Sequence, residues 1–146
     1  MIQKGVLNMD FTDKLDILYA RRSSEDGKDG ESIENQVALL KQYAADKGYY
    51  NIKVITDDGY TGTNFNRPGF QEALALIQHR RVGRFIVKDL SRLGRNTVEV
   101  GQYIGVVFPR FGVEFISVHD GPESGDPDSL ITQFKNIMNE YYAKDI

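Results

Sequence analysis

A chain of 146 residues, 40% of them hydrophobic, has the size of one domain and enough apolar material to bury a core. The absence of cysteine excludes disulfides and thiolate zinc sites within this stretch and fits a reducing, cytoplasmic setting. A formal charge of -3 argues against a self-sufficient DNA binder, whose non-specific affinity would come mainly from lysines and arginines neutralising phosphates.

Residues 1–9 have neither a long apolar core nor a small-residue cleavage pattern, so residues 1–13 read as a flexible leader, and nothing later reads as a membrane span. An apolar strand follows from Leu15 and runs straight into Arg21, Arg22, Ser23 and Ser24. A hydroxyl beside a fixed cation at the C-terminal end of a strand suits an anionic ligand such as a phosphate, because open α/β sheets bind ligands there. After a polar, glycine-punctuated loop over 25–30, Ser32 is a candidate N-cap, and Ile33, Val37, Leu40 and Ala44 recur at helical spacing until Gly48. The β-branched run at 52–55 predicts a second strand. A glycine-rich loop over 56–66 comes next, in which the paired Asp57 and Asp58 read as turn chemistry more readily than as a metal site.

Pro68 opens a helix with Phe70, Leu74 and Ile77 on its apolar stripe, ending at His79. Phe85, Ile86 and Val87 predict a buried third strand, followed by Leu90-Ser91-Arg92-Leu93-Gly94-Arg95. Val100, Ile104, Val107 and Phe108 mark another helix stopped near Gly112, and residues 113–118 a fourth strand. Beyond a loop over 119–128, Leu130, Phe134, Ile137, Met138 and Tyr141 keep helical spacing, and this helix is still running at Ile146, which predicts a longer protein. Alternating strands and helices predict an α/β fold, a mostly parallel central sheet flanked by helices, with a C-terminal amphipathic helix.

Seven basic residues against two acidic ones lie between Arg67 and Arg95, which by itself reads as a solvated basic face. The arginines nevertheless recur where a parallel sheet would gather them: Arg21 after the first strand, Arg67 after the second, Arg92 and Arg95 after the third. Phosphoryl transfer needs positioning and stabilisation of charge on non-bridging oxygens, and guanidinium groups supply both. Arg92 and Arg95 are three apart, so at a helix start they would point to one side. His79 and His119 read as surface histidines, and Gly-x-Ser-x-Gly is absent, which disfavours a Ser-His-Asp hydrolase.

Tyr19-Ala20-Arg21-Arg22-Ser23-Ser24, Ser32-Ile33-Glu34-Asn35-Gln36, Asp57-Asp58-Gly59-Tyr60-Thr61-Gly62, Arg67-Pro68-Gly69-Phe70 and Val87-Lys88-Asp89-Leu90-Ser91-Arg92-Leu93-Gly94-Arg95 stand in one order. That order resembles the catalytic domains of serine recombinases, the resolvase/invertase family, and most of all the large serine recombinases of transposons and phages. The resemblance implies a resolvase-type catalytic domain over 14–128 and the start of a dimerisation helix over 129–146, with the DNA-binding region elsewhere. It implies Ser23 as the nucleophile, Arg21, Arg67, Arg92 and Arg95 on the scissile phosphate, and Arg67, Arg92 and Arg95 as DNA contacts. Asp58 matches the family's aspartate when the loop is counted back from Arg67, with Asp57 beside it; Tyr19 and Gln36 are secondary. The implied partners are double-stranded DNA recombination sites and further copies of the chain, a homodimer assembling to a tetramer, with no metal or other cofactor. Two departures stand out: small resolvases often carry aspartate where this chain has Ser91, and Arg84 sits near another position where they often carry an acid. Two other readings are a receiver-like signalling domain, with Asp57 or Asp58 as phosphoacceptor and Lys88 as strand-end lysine, and a catalytically inactive assembly module. The receiver reading leaves Ser23 and the four arginines without a task.

Overall fold

The structure, a computed structural model, describes residues 14–23 and 31–120. The expected leader over 1–13, the loop over 25–30 and the expected helix over 129–146 lie outside the described residues.

Strand β1 is Leu15–Arg22, and its six central positions are all buried, as an inner strand covered on both faces requires. Helix α1, Ile33–Lys47, starts where the Ser32 side chain accepts a hydrogen bond from the Asn35 amide and stops at Gly48, whose φ of 77° a side chain would resist. Strand β2 is Ile52–Asp58, and Pro68 begins helix α2, Pro68–Gln78. Strand β3, Val82–Val87, leads into the short α3, Leu90–Leu93. Helix α4, Thr97–Gln102, passes through a π-helical turn, Tyr103–Val107, into a last turn α5, Phe108–Arg110, before strand β4, Glu114–Ser117.

The four strands are parallel in the order β2-β1-β3-β4. Right-handed crossovers then fix the layers, because the step from β1 to β2 runs one way across the sheet and the later steps run the other. Leu40 and Ala44 of α1 accordingly pack on Leu18, Ile86 and Ile116, while α2, α4 and α5 cover the opposite face, with Phe70, Ile77 and Phe108 against Ile17, Tyr19 and Phe85. The chain leaves β1 and β3 toward opposite faces, which opens a crevice at their C-terminal ends. Among the described residues, no helix is long and apolar enough to cross a membrane.

The basic stretch from Arg67 to Arg95 is not one face. Arg67 and Arg92 are buried near the C-terminal ends of the strands, whereas Arg84 lies toward the N-terminal rim, 3.3 Å from Asp16 and from Glu114 on the neighbouring strands. Its guanidinium also lies over the Tyr49 ring, 3.9 Å from the centroid. Burial pushes the Asp16 carboxyl above its ordinary value of 3.8, against the downward pull of Arg84. A carboxyl raised by folding stabilises the protein fully below its unfolded value, and that contribution is lost as pH rises through the folded one. Asp16→Asn is therefore expected to flatten this part of the stability curve in urea denaturation from about pH 3 to 7; parallel curves for the two proteins would overturn the assignment.

Candidate active site

Ser23 is the first residue beyond β1 and is 5% exposed. Pairing of β1 with β2 continues to Arg22, but pairing with β3 stops at Leu18 opposite Ile86, so the end of β1 lacks a strand on that side. Side chains take over the backbone groups left there, as buried amides and carbonyls require. The Gln36 side chain accepts from the Arg21 amide at 3.3 Å and donates to the Arg21 carbonyl at 3.1 Å and the Glu31 carbonyl at 3.0 Å. Arg92 Nη1 donates to the same Arg21 carbonyl at 3.0 Å.

Arg21 and Arg67 are both turned inward, 0% and 1% exposed. Arg21 donates through Nε to the Arg92 carbonyl (3.2 Å), through Nη1 to Tyr60 (2.9 Å) and through Nη2 to Ser91 (2.6 Å). Arg67 donates to the carbonyls of Asn64 (3.0 Å), Arg92 (3.4 Å) and Leu93 (2.5 Å), and to the Tyr19 hydroxyl (2.9 Å). Two cations thus hold three successive carbonyls at the C-terminal end of α3, where helix carbonyls lack internal partners and the dipole favours positive charge. The rings of Phe65, Phe70 and Tyr19 surround the Arg67 guanidinium with centroids 4.6, 5.4 and 5.9 Å away.

Tyr19 links this arginine to an acid, its hydroxyl donating to Asp57 at 2.6 Å. The Asp57 carboxylate also accepts from the Gly69 and Phe70 amides at 2.8 and 2.9 Å, closing the start of α2, where Arg67 gives no side-chain cap. Burial, with Asp57 adding to it, pushes the Tyr19 phenol far above its ordinary value of 10.0, so it stays protonated. Asp57, not Asp58, is the aspartate of this network. Side chains alternate along a strand, and β2 turns Ile55 and Asp57 inward while Val54, Thr56 and Asp58 face out. Parity with Ile55 was the signal in the sequence that counting back from Arg67 missed.

Arg92 is 8% exposed and lies in α3, but Arg95 falls beyond Gly94, where the chain is extended. Helical spacing therefore does not align them. The 59–66 loop instead sets Arg95 near Arg21: the Arg95 amide donates to the Gly62 carbonyl at 2.7 Å, and a Cβ on Gly62 would come within 2.8 Å of Arg21 Nη2 and 3.3 Å of Arg95 Cγ. His79 and His119 are exposed, and Lys88 forms an ion pair with Glu31.

The family description "Resolvase, N terminal domain" matches residues 17–146. The chain belongs to the resolvase family of serine recombinases. Solved structures similar to it include the N-terminal catalytic domain of TP901-1 integrase, 25% identical, with 90% of this chain and 98% of that one covered at a TM-score of 0.70. Another is the C-terminal catalytic domain of ISC1926 TnpA, an IS607-like serine recombinase, at 30% identity, 89% and 84% coverage and a TM-score of 0.60. A serine recombinase from Sulfolobus solfataricus matches at 30% identity, 90% and 84% coverage and a TM-score of 0.58.

The adjacent acids give a sharp test of the resolvase site's packing. Asp57→Ala strands the Tyr19 hydroxyl proton, the buried Phe70 amide and the half-buried Gly69 amide and is expected to lower stability by about 3 kcal/mol, whereas Asp58→Ala should stay within about 0.5 kcal/mol of wild type. Urea denaturation measures both, and equal effects would contradict the inward placement of Asp57.

Proposed function

We propose that this chain is the catalytic domain of a site-specific recombinase that cuts and rejoins double-stranded DNA through Ser23, serving the integration or excision of a mobile element. The observation that carries this reading is the gathering of Arg21, Arg67 and Arg92 at one buried turn that is tied to the end of β1, the strand end that the buried Ser23 directly follows. Ser23 Oγ attacks phosphorus and gives up its proton. The bond from phosphorus to the 3′ oxygen breaks, that oxygen takes up a proton, and a 3′ hydroxyl leaves. The 5′ phosphate stays on Ser23 until a 3′ hydroxyl reverses the step. One phosphoester replaces another, so no external energy source enters.

Arg92 and Arg95 take the non-bridging oxygens and contact the DNA in this reading, whereas Arg67, expected from the resemblance to contact DNA, is buried with its donors engaged inside the protein and acts through the turn it holds. Arg21 and Arg67 also fix the turn that carries Arg92, and their permanent charge acts in a poorly hydrated site where charge is most effective. Asp57 replaces Asp58 in the proposed site, positioning Arg67 through Tyr19, while Gln36 fixes the strand end before Ser23. A protonated Tyr19 is a donor here, not the base that activates serine. Two paired duplexes have four strands to cut, and one serine per strand calls for a tetramer built from homodimers. The apolar stripe of Leu130, Phe134, Ile137, Met138 and Tyr141, outside the described residues, is assigned to that pairing.

The test is a denaturant-resistant protein–DNA adduct, formed by the full-length protein with a supercoiled plasmid carrying the DNA that flanks its own gene, in excess chelator. Wild type is expected to form the adduct, with the phosphate mapped to Ser23 by mass spectrometry. Ser23→Ala should form none, and Arg92→Ala should cut on the order of 10²-fold more slowly or worse. An adduct that persists in Ser23→Ala would move the nucleophile elsewhere; none with wild type would remove the strand-transfer reading.

A further inference from the structure

Asp89 divides its carboxylate between the backbone of α3 and the arginine that α3 carries. One oxygen, Oδ1, accepts from the Ser91 amide at 3.0 Å and from the Ser91 hydroxyl. The other, Oδ2, lies 3.8 Å from Arg92 Nε. The Ser91 carbonyl on the same turn receives Arg21 Nη2, and Arg92 Nη1 reaches across to the Arg21 carbonyl. Asp89 therefore stands where the Arg92 turn is tied to the strand end before Ser23.

Capping alone would explain the bond to the Ser91 amide, since aspartate is a common N-cap. It does not explain the second oxygen. α3 has another acid at its start, because Asp120 Oδ2 accepts from the Leu90 amide at 3.2 Å, so Asp89 is not its sole support. Arg92, largely buried and close to the guanidinium-filled base of the turn, gains from Asp89 a negative charge on its Nε edge. At 3.8 Å this is a charge contact that orients the side chain without a short hydrogen bond.

We propose that Asp89 is a positioning residue for strand transfer: its carboxylate sets the direction in which Arg92 meets the phosphate. This rests on the recombinase reading above. It also accounts for Ser91, where small resolvases often carry aspartate: here the hydroxyl donates to Asp89, and the negative charge reaches the same turn from two residues upstream.

Asparagine caps helices as well as aspartate but carries no charge, so Asp89→Asn separates the two roles. The full-length protein with this change is expected to keep the wild-type urea midpoint and its binding to the flanking-DNA plasmid, while adduct formation slows by about 10- to 100-fold, the scale of a misdirected catalytic group. Adding Ser91→Asp to Asp89→Asn returns an acid to the turn and should recover most of the rate. A wild-type rate in Asp89→Asn, a loss of rate matched by a loss of stability, or no recovery with Ser91→Asp would each overturn the proposal. A second readout needs no DNA cutting: the Arg92 Nε–H resonance should shift and exchange faster with water in Asp89→Asn, and an unchanged resonance would also overturn it. Absence of any wild-type adduct, by contrast, would strike the recombinase reading, while the resonance still decides whether Asp89 orients Arg92.

Discussion

Burying two guanidinium groups is the constraint on which the rest of the site depends. Removing an ion from water costs several kcal/mol even after the protein relaxes, and the cost is tolerable only when each donor nitrogen meets an acceptor. Arg21 and Arg67 meet this condition with backbone carbonyls, the Tyr19 hydroxyl and, for Arg67, aromatic faces. A lysine could not do the same, because its compact ammonium cannot reach several carbonyls along a planar fork. The consequence is mechanical as well as electrostatic. Residues 91–93 cannot shift without stranding both buried cations, so Arg92 stands on a fixed base.

Sheet topology supplies the space in which that base works. The ladder between β1 and β3 ends at Leu18, well before Ser23, whereas β2 stays paired with β1 to Arg22. One side of the strand end is thus anchored and the other is open. Gln36 and Arg92 fill the open side with side-chain hydrogen bonds to Arg21, which keeps the backbone satisfied without extending the sheet. A fully paired strand end would have had backbone where the proposed phosphate must come.

Periodicity made the elements legible in the sequence, but it could not measure them. The run from Ile52 to Ile55 marks β2, yet the strand continues through Thr56, Asp57 and Asp58 because backbone pairing with β1 does not depend on apolar side chains. The same blind spot hid Asp57, whose inward direction follows from strand parity once the strand is known to reach that far. Helical spacing predicts Arg92 and Arg95 on one side of a helix, but α3 ends before Arg95, whose backbone is held by the 59–66 loop instead. Composition located neither carbonyl partners nor inward arginines; those depend on backbone groups, which every residue shares.

Net charge was equally silent about the site. A chain with formal charge -3 still concentrates cations at one end of its sheet, and the structure adds acids there in a particular way. Asp57 touches Arg67 only through Tyr19, and Asp89 approaches Arg92 at 3.8 Å without a short hydrogen bond. Direct bidentate pairing would have neutralised each guanidinium and, at Arg92, occupied the edge a phosphate needs. Indirect or long contacts stabilise the cations and fix their directions while leaving a net positive field, which is the balance a site for phosphoryl transfer requires.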